Sequence, residues 1–248
     1  MKSYTRRDLT VIPDIGGNSL VIACDSCGAV GTKKEDILKL SARYTSKFTT
    51  RVALTEVICS GATPITIVNG AACEMDPTGA EMILGIQDEL KNAGISDIAL
   101  TGSTEENFMT NMTALAVTVI GIAAKDELKF GQAIKGDKLI LLGSPQVGAE
   151  VNLESKGFYT EIRQLLPLPG VREIVPVGSK GIVYEAKNLA SINDMIFEYS
   201  NTETDSPTQI DYYKSAGPAT CLLVLCSESA VNHVLNIYPN AITIGEMH

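Results

Sequence analysis

Short apolar runs separated by Gly, Pro and Asn punctuate the chain. Thr10 to Ile12 and Leu20 to Cys24 read as strands around a Gly16-Gly17-Asn18 turn. The spacing then becomes helical over Ser41 to Ser60. Phe48, Val52, Val57 and Ile58 recur on one face there, and Gly61 is a stop signal. Ile65 to Val68 is a compact β-branched strand. Asp76-Pro77 predicts an N-cap with Pro at the first helical position. Met82, Ile83, Ile86 and Leu90 continue that helix to Gly94. Strands follow at Asp97 to Leu100, Thr113 to Ala123 and Lys138 to Leu142.

In the second half, Glu161 to Leu166, Ile182 to Ile192 and Ser227 to Asn236 read as helices. Glu173 to Val177, Ile196 to Tyr199, Cys221 to Leu225 and Ala241 to Ile244 read as strands, and Ser200 to Pro207 as a polar loop. Neither half alternates βαβ regularly, so the predicted class is α+β. The apolar strand gives way to a Pro/Gly/polar run near residue 145, which suggests two domains, 1–145 and 146–248.

Composition narrows the function classes. The 248 residues suffice for one or two domains and a sizeable core. With 20 Lys+Arg against 29 Asp+Glu, the net charge of −9 argues against a nucleic-acid partner. It does not exclude phosphates, which backbone N–H groups and a metal can hold locally. Only His233 and His248 are present, which argues against a His-rich metal site or a serine-type triad. No signal-peptide core follows Met1, and the longest uncharged apolar run, Ala114 to Ala124, is short for a membrane helix. Cys24, Cys59, Cys73, Cys221 and Cys226 lie in apolar or small-residue surroundings, so reduced, buried thiols and a cytoplasmic location are expected.

Several segments can carry chemistry. In Cys24-Asp25-Ser26-Cys27-Gly28-Ala29-Val30-Gly31-Thr32-Lys33, a strand ends at an acid that opens a Gly-containing loop. Asp25 can hold a hard cation, backbone N–H groups can meet phosphate oxygens, and Lys33 adds a charge. An ordinary tight turn has the same composition. The Cys24/Cys27 pair lacks the second pair or histidines that zinc requires. Glu56 lies one helical turn from Val52. It is either paired or metal-bound near the apolar face, or solvated beside Arg51 and Thr55. Thr101-Gly102-Ser103-Thr104-Glu105-Glu106 follows a strand end and reads as a phosphate contact or a capped turn. Asp8, next to Arg6 and Arg7, is a fourth acid-bearing segment.

In their order and spacing these segments resemble the aminoimidazole ribonucleotide synthetase superfamily, which includes thiamine-monophosphate kinase and selenophosphate synthetase. Asp25 through Lys33 resembles the family's Asp plus Gly-Val-Gly-Thr-Lys loop. Leu54-Thr55-Glu56-Val57 and Gly61-Ala62-Thr63-Pro64 resemble its Asn-Asp-Leu helix and Gly-Ala-x-Pro. Thr101-Gly102-Ser103-Thr104 resembles its Gly-Gly-Asp/Glu-Thr segment, and Glu106 matches a later acid. Ser215-Ala216-Gly217-Pro218-Ala219 and Ile244-Gly245-Glu246 also fit. The departures are Thr101 and Ser103 in the Gly-Gly-acid segment, a single acid at Asp8, and no Asp-x-x-Gly-Gly, for which Val177-Gly178-Ser179-Lys180-Gly181 stands nearest.

The resemblance implies a two-domain α+β protein with a shortened C-terminal domain, dimerising through sheets of the N-terminal half. It implies a homodimer that binds ATP and Mg²⁺ and acts on a nucleoside-like small molecule, with neither nucleic acid nor membrane as partner. Asp8, Asp25 and Glu56 are the implied metal ligands. Lys33, Gly102, Ser103 and Thr104 are the implied nucleotide contacts, and Asp25 and Glu106 the implied catalytic acids. Arg7-Asp8-Leu9-Thr10, Ile22 to Gly28 and Leu100 to Phe108 look most like the α-ribazole kinases. These phosphorylate a 5′-hydroxyl in cobamide salvage. A nucleotide-binding regulatory or scaffold protein without catalysis is the alternative.

Overall fold

The computed structural model describes residues 2–124, 126–200 and 210–248. Apart from Ser200, the predicted loop to Pro207 lies outside the described residues. The chain divides into two compact units, 1–58 with 62–126 and 152–157, and 59–61 with 127–151 and 158–248. The compositional change at 145 does not coincide with this division. The strand over Lys138–Gly143 is central to the second unit's sheet, although it precedes the polar run.

The first unit holds β1 (Tyr4–Arg6), β2 (Leu9–Ile15), β3 (Asn18–Gly28), β4 (Val30–Gly31), β5 (Leu38–Lys39), β6 (Thr63–Ala71), β7 (Ala99–Ser103) and β8 (Ala114–Ala124). Six of these form a sheet in the order β1-β2-β3-β8-β6-β7, antiparallel except for the parallel β6–β7 pair. The β2–β3 hairpin turns at Gly16 and Gly17, with φ of 59° and 85°. Glycine adopts that left-handed region without steric cost. Leu9, Val11, Val21, Ala23, Val117, Val119 and Ile67 line one buried face of the sheet.

α1 (Ala42–Cys59) matches its predicted span but is not amphipathic. From Thr45 to Cys59 every residue except Val52 is buried. Hydroxyl-bearing residues make this possible, because they satisfy themselves on the preceding turn. Thr49 Oγ1 donates to Thr45 O (2.8 Å) and Thr50 Oγ1 to Ser46 O (2.7 Å). α2 (Ala80–Asn92) crosses α1 at Gly85, where an added Cβ would meet Arg43 O at 1.9 Å. The predicted start of this helix at Asp76-Pro77 is corrected. Asp76 has non-helical φ/ψ, residues Met75–Gly79 form a π-type turn, and regular helix begins at Ala80.

The second unit holds β9 (Lys138–Gly143), α3 (Tyr159–Leu165), β10 (Val171–Pro176), α4 (Gly181–Ile192), β11 (Phe197–Tyr199), β12 (Cys221–Cys226), α5 (Val231–Ile237) and β13 (Ile242–Met247). Its strands form a five-stranded sheet in the order β10-β12-β9-β13-β11. Every residue of Cys221 to Cys226 is buried, in keeping with the unbroken apolar run that marked the strand. The mixed α+β class is as expected.

Candidate functional site

Strand register brings the acid-bearing segments to one end of the six-stranded sheet. β3 ends at Gly28 opposite Ala114, β6 ends at Ala71 opposite Leu115, and β7 ends at Ser103 opposite Gly70. β2 begins at Leu9, opposite Ala23, so the Arg7-Asp8 turn lies at that end too.

Asp25 sits on the covered face, half-buried. Its carboxyl is pushed up from 3.8 to about 6, chiefly by burial, with the Ser26 backbone N–H pulling it down and the Asp8 charge raising it. Two carboxylates therefore share one region. Magnesium is bound through one or two carboxylates together with phosphate oxygens and waters. Asp8 and Asp25 fit that donor set, and a cation there would relieve their repulsion. Glu56 has a cationic neighbour. It is 8% exposed, and its Oε2 lies 4.0 Å from the Arg7 guanidinium. Among the described residues no three His, Cys, Asp or Glu side chains gather as a metal-ligand group.

The loop after β3 is held by a residue the sequence did not single out. Asp36 is 5% exposed and accepts from Lys33 N (2.8 Å), Thr113 N (2.7 Å) and Thr113 Oγ1 (2.7 Å). Burial works against its charge, but the Thr113 and Lys33 donors outweigh it and hold the carboxyl below its ordinary value. A Cβ on Gly31 would fall 2.0 Å from Thr113 Oγ1 and 2.5 Å from Asp36 Oδ2. The glycine is thus needed for this clamp to close.

Lys33 lies at the site but not as a free cation. Its Nζ contacts Glu74 Oε2 at 2.5 Å, and Thr78 Oγ1 also donates to Glu74. Desolvation opposes the Glu74 charge, yet the Lys33 and Thr78 hydrogen bonds hold its carboxyl below the usual range. Glu106 Oε1 accepts from Thr104 Oγ1 and from Met75 N, both at 2.8 Å. The segment after β7 is thereby tied to the segment after β6. Gly102 and Ser103 are exposed in β7, while Thr104 is half-buried just beyond its end.

The cysteine expectation is corrected in part. Cys24 is exposed, whereas Cys59, Cys73, Cys221 and Cys226 are buried as expected, and all six thiols are free. Cys24 and Cys27 are three residues apart on one strand and so face opposite sides of the sheet. Burial and the neighbouring Asp25 charge push the Cys27 thiol up, against a hydrogen bond with Thr49. In the second unit Lys180, in the Gly178–Gly181 turn, stacks its Nζ 4.2 Å from the Tyr184 ring centre.

No family model matches the sequence, and no curated protein matches it significantly. Solved structures do match. HypE in the HypE–HypF complex is 13% identical with a TM-score of 0.72, over 97% of this chain and 87% of that one. HypE in complex with ATP is 15% identical with a TM-score of 0.67, over 92% and 76%. PurL of T. maritima complexed with ATP is 14% identical with a TM-score of 0.70, over 96% of this chain and 41% of that one. The chain shares the fold of these structures and spans less than half of PurL.

Proposed function

We propose that the chain is an ATP- and Mg²⁺-dependent kinase that phosphorylates a small-molecule hydroxyl, the 5′-hydroxyl of α-ribazole in cobamide salvage. One observation carries this reading. The charges of Asp8 and Asp25 act on each other beside the loop after β3 and the Gly102-Ser103-Thr104 segment at the end of β7, in a fold that is solved with ATP in HypE and PurL.

In this reading Asp8 and Asp25 hold Mg²⁺, which supplies charge neutralisation for phosphoryl transfer. Gly102, Ser103 and Thr104 line the phosphates. Lys33 adds positive charge from its place on Glu74, and Glu56 fixes Arg7. Glu106 takes the acceptor's proton as the hydroxyl oxygen bonds to the γ-phosphorus and the bond to the departing ADP oxygen breaks. Asp25→Asn is expected to lower α-ribazole-dependent ATP consumption by orders of magnitude with the fold intact. Undiminished consumption in that variant would remove Asp25 from the chemistry.

The acting species is proposed to be a homodimer. Ile22, Ile120 and Val68 lie on the sheet face opposite the covered one, and Val68 is 37% exposed. Light scattering is expected to give twice the chain mass, and a monomer at all concentrations would overturn this. A second reading, a nucleotide-binding scaffold, draws on the pairing of Lys33 with Glu74 and Glu56 with Arg7. Nucleotide binding without turnover over a nucleoside panel would favour it.

A further inference from the structure

Asn69 stands near the end of β6 and is 6% exposed, yet its side-chain Oδ1 has no hydrogen-bond partner. Its neighbours on the same strand face, Ile67 and Ala71, are apolar and buried. An apolar side chain would therefore suit the position, and an unpaired buried amide oxygen is costly. Such groups call for an explanation beyond packing.

Register supplies one. Asp25 pairs with Val117, Val117 with Asn69, and Asn69 with Gly102. These residues form one transverse row, and directly paired residues project to the same face. The lone acceptor is thus in line with the carboxylate and the glycine of the candidate nucleotide site. A Cβ on Gly102 would fall 2.2 Å from Asn69 O, so the two strands meet closely there.

The chemistry of the missing partner follows from the atom. Asp25 and Asn69 are two strand spacings apart, roughly 9–10 Å. Side chains standing off the sheet at that separation do not share one small cation. Phosphate oxygens only accept hydrogen bonds when ionised. The partner must donate, and the donors of ATP are its ribose hydroxyls and its adenine amino group.

We propose that Asn69 is a binding residue that reads the nucleoside part of ATP, its Oδ1 accepting a hydrogen bond from a hydroxyl or amino group. This rests on the nucleotide site proposed above. The test is calorimetric titration of wild type, Asn69→Leu and Asn69→Ala with Mg-ATP and with Mg-tripolyphosphate, alongside the melting temperature of each ligand-free protein. Asn69→Leu is expected to melt at or above the wild-type temperature. It should bind Mg-ATP about tenfold more weakly, the worth of one well-placed hydrogen bond. Its affinity for tripolyphosphate, which has no such donors, should be unchanged. Asn69→Ala carries the same comparison if the leucine variant does not fold. Unchanged ATP affinity, or equal loss for both ligands, would overturn the assignment while leaving the site standing. A wild-type protein that binds no Mg-ATP would overturn both.

Discussion

At the level of single residues, Asp25 keeps a carboxyl where burial disfavours its charge. Its folded pKa of about 6 lies above the ordinary 3.8. Protonation therefore favours the folded state. That stabilisation is complete below the ordinary value and is lost as pH rises through the folded one. At neutral pH the native protein carries the penalty in full. The shift corresponds to at most about 3 kcal/mol at 1.36 kcal/mol per unit, and partial solvent screening reduces it to about 1–2 kcal/mol. Asp25→Asn, measured by calorimetry with chelator, is expected to be more stable than wild type near neutral pH. The difference should vanish toward about pH 4. A variant destabilised equally at all pH values would contradict this. Stability spent on a charged group at a site is a common cost of function. Asp36 has the opposite sign, held below its ordinary value despite burial. Nothing in the spacing around Asp36 or Glu74 separates them from surface acids, because their partners Thr113 and Lys33 lie 77 and 41 residues away.

At the level of elements, α1 and α2 are joined by a buried ion pair. Arg51 Nε and Nη2 donate to the two oxygens of Glu89 at 2.6 and 3.0 Å, with side-chain exposures of 2% and 0%. Arg51 also holds the 152–157 segment through Ser155 Oγ and O, both at 2.7 Å. Removing one member leaves the other buried and unpaired, which typically costs ~3–5 kcal/mol. Arg51→Ala is expected to lose that much in urea unfolding, and Arg51→Met with Glu89→Leu clearly less. Equal losses would refute the ion-pair explanation. Neither charge was legible as a core residue, since sequence spacing shows a helix but not what packs around it. The α1 span was readable because Gly61 ends it. The α2 start was not, because the Asp76-Pro77 signal sits in a turn whose backbone is set by tertiary contacts. Among those contacts, Thr104 approaches Gly79, and Glu106 accepts from Met75 N.

For the whole molecule, the order of loose motifs along the chain was more informative than any one of them. Each short segment reads alone as an ordinary turn, yet the α+β fold that their order implied matches HypE and PurL over more than nine-tenths of the chain at 13–15% identity. That likeness fixes the fold. The most direct measurement is the mass of α-ribazole after incubation with the protein and Mg-ATP. The expected result is a product heavier by one phosphoryl group, formed only with both ATP and Mg²⁺ present and absent with Asp25→Asn. Unchanged α-ribazole beside a protein that binds Mg-ATP tightly would contradict it.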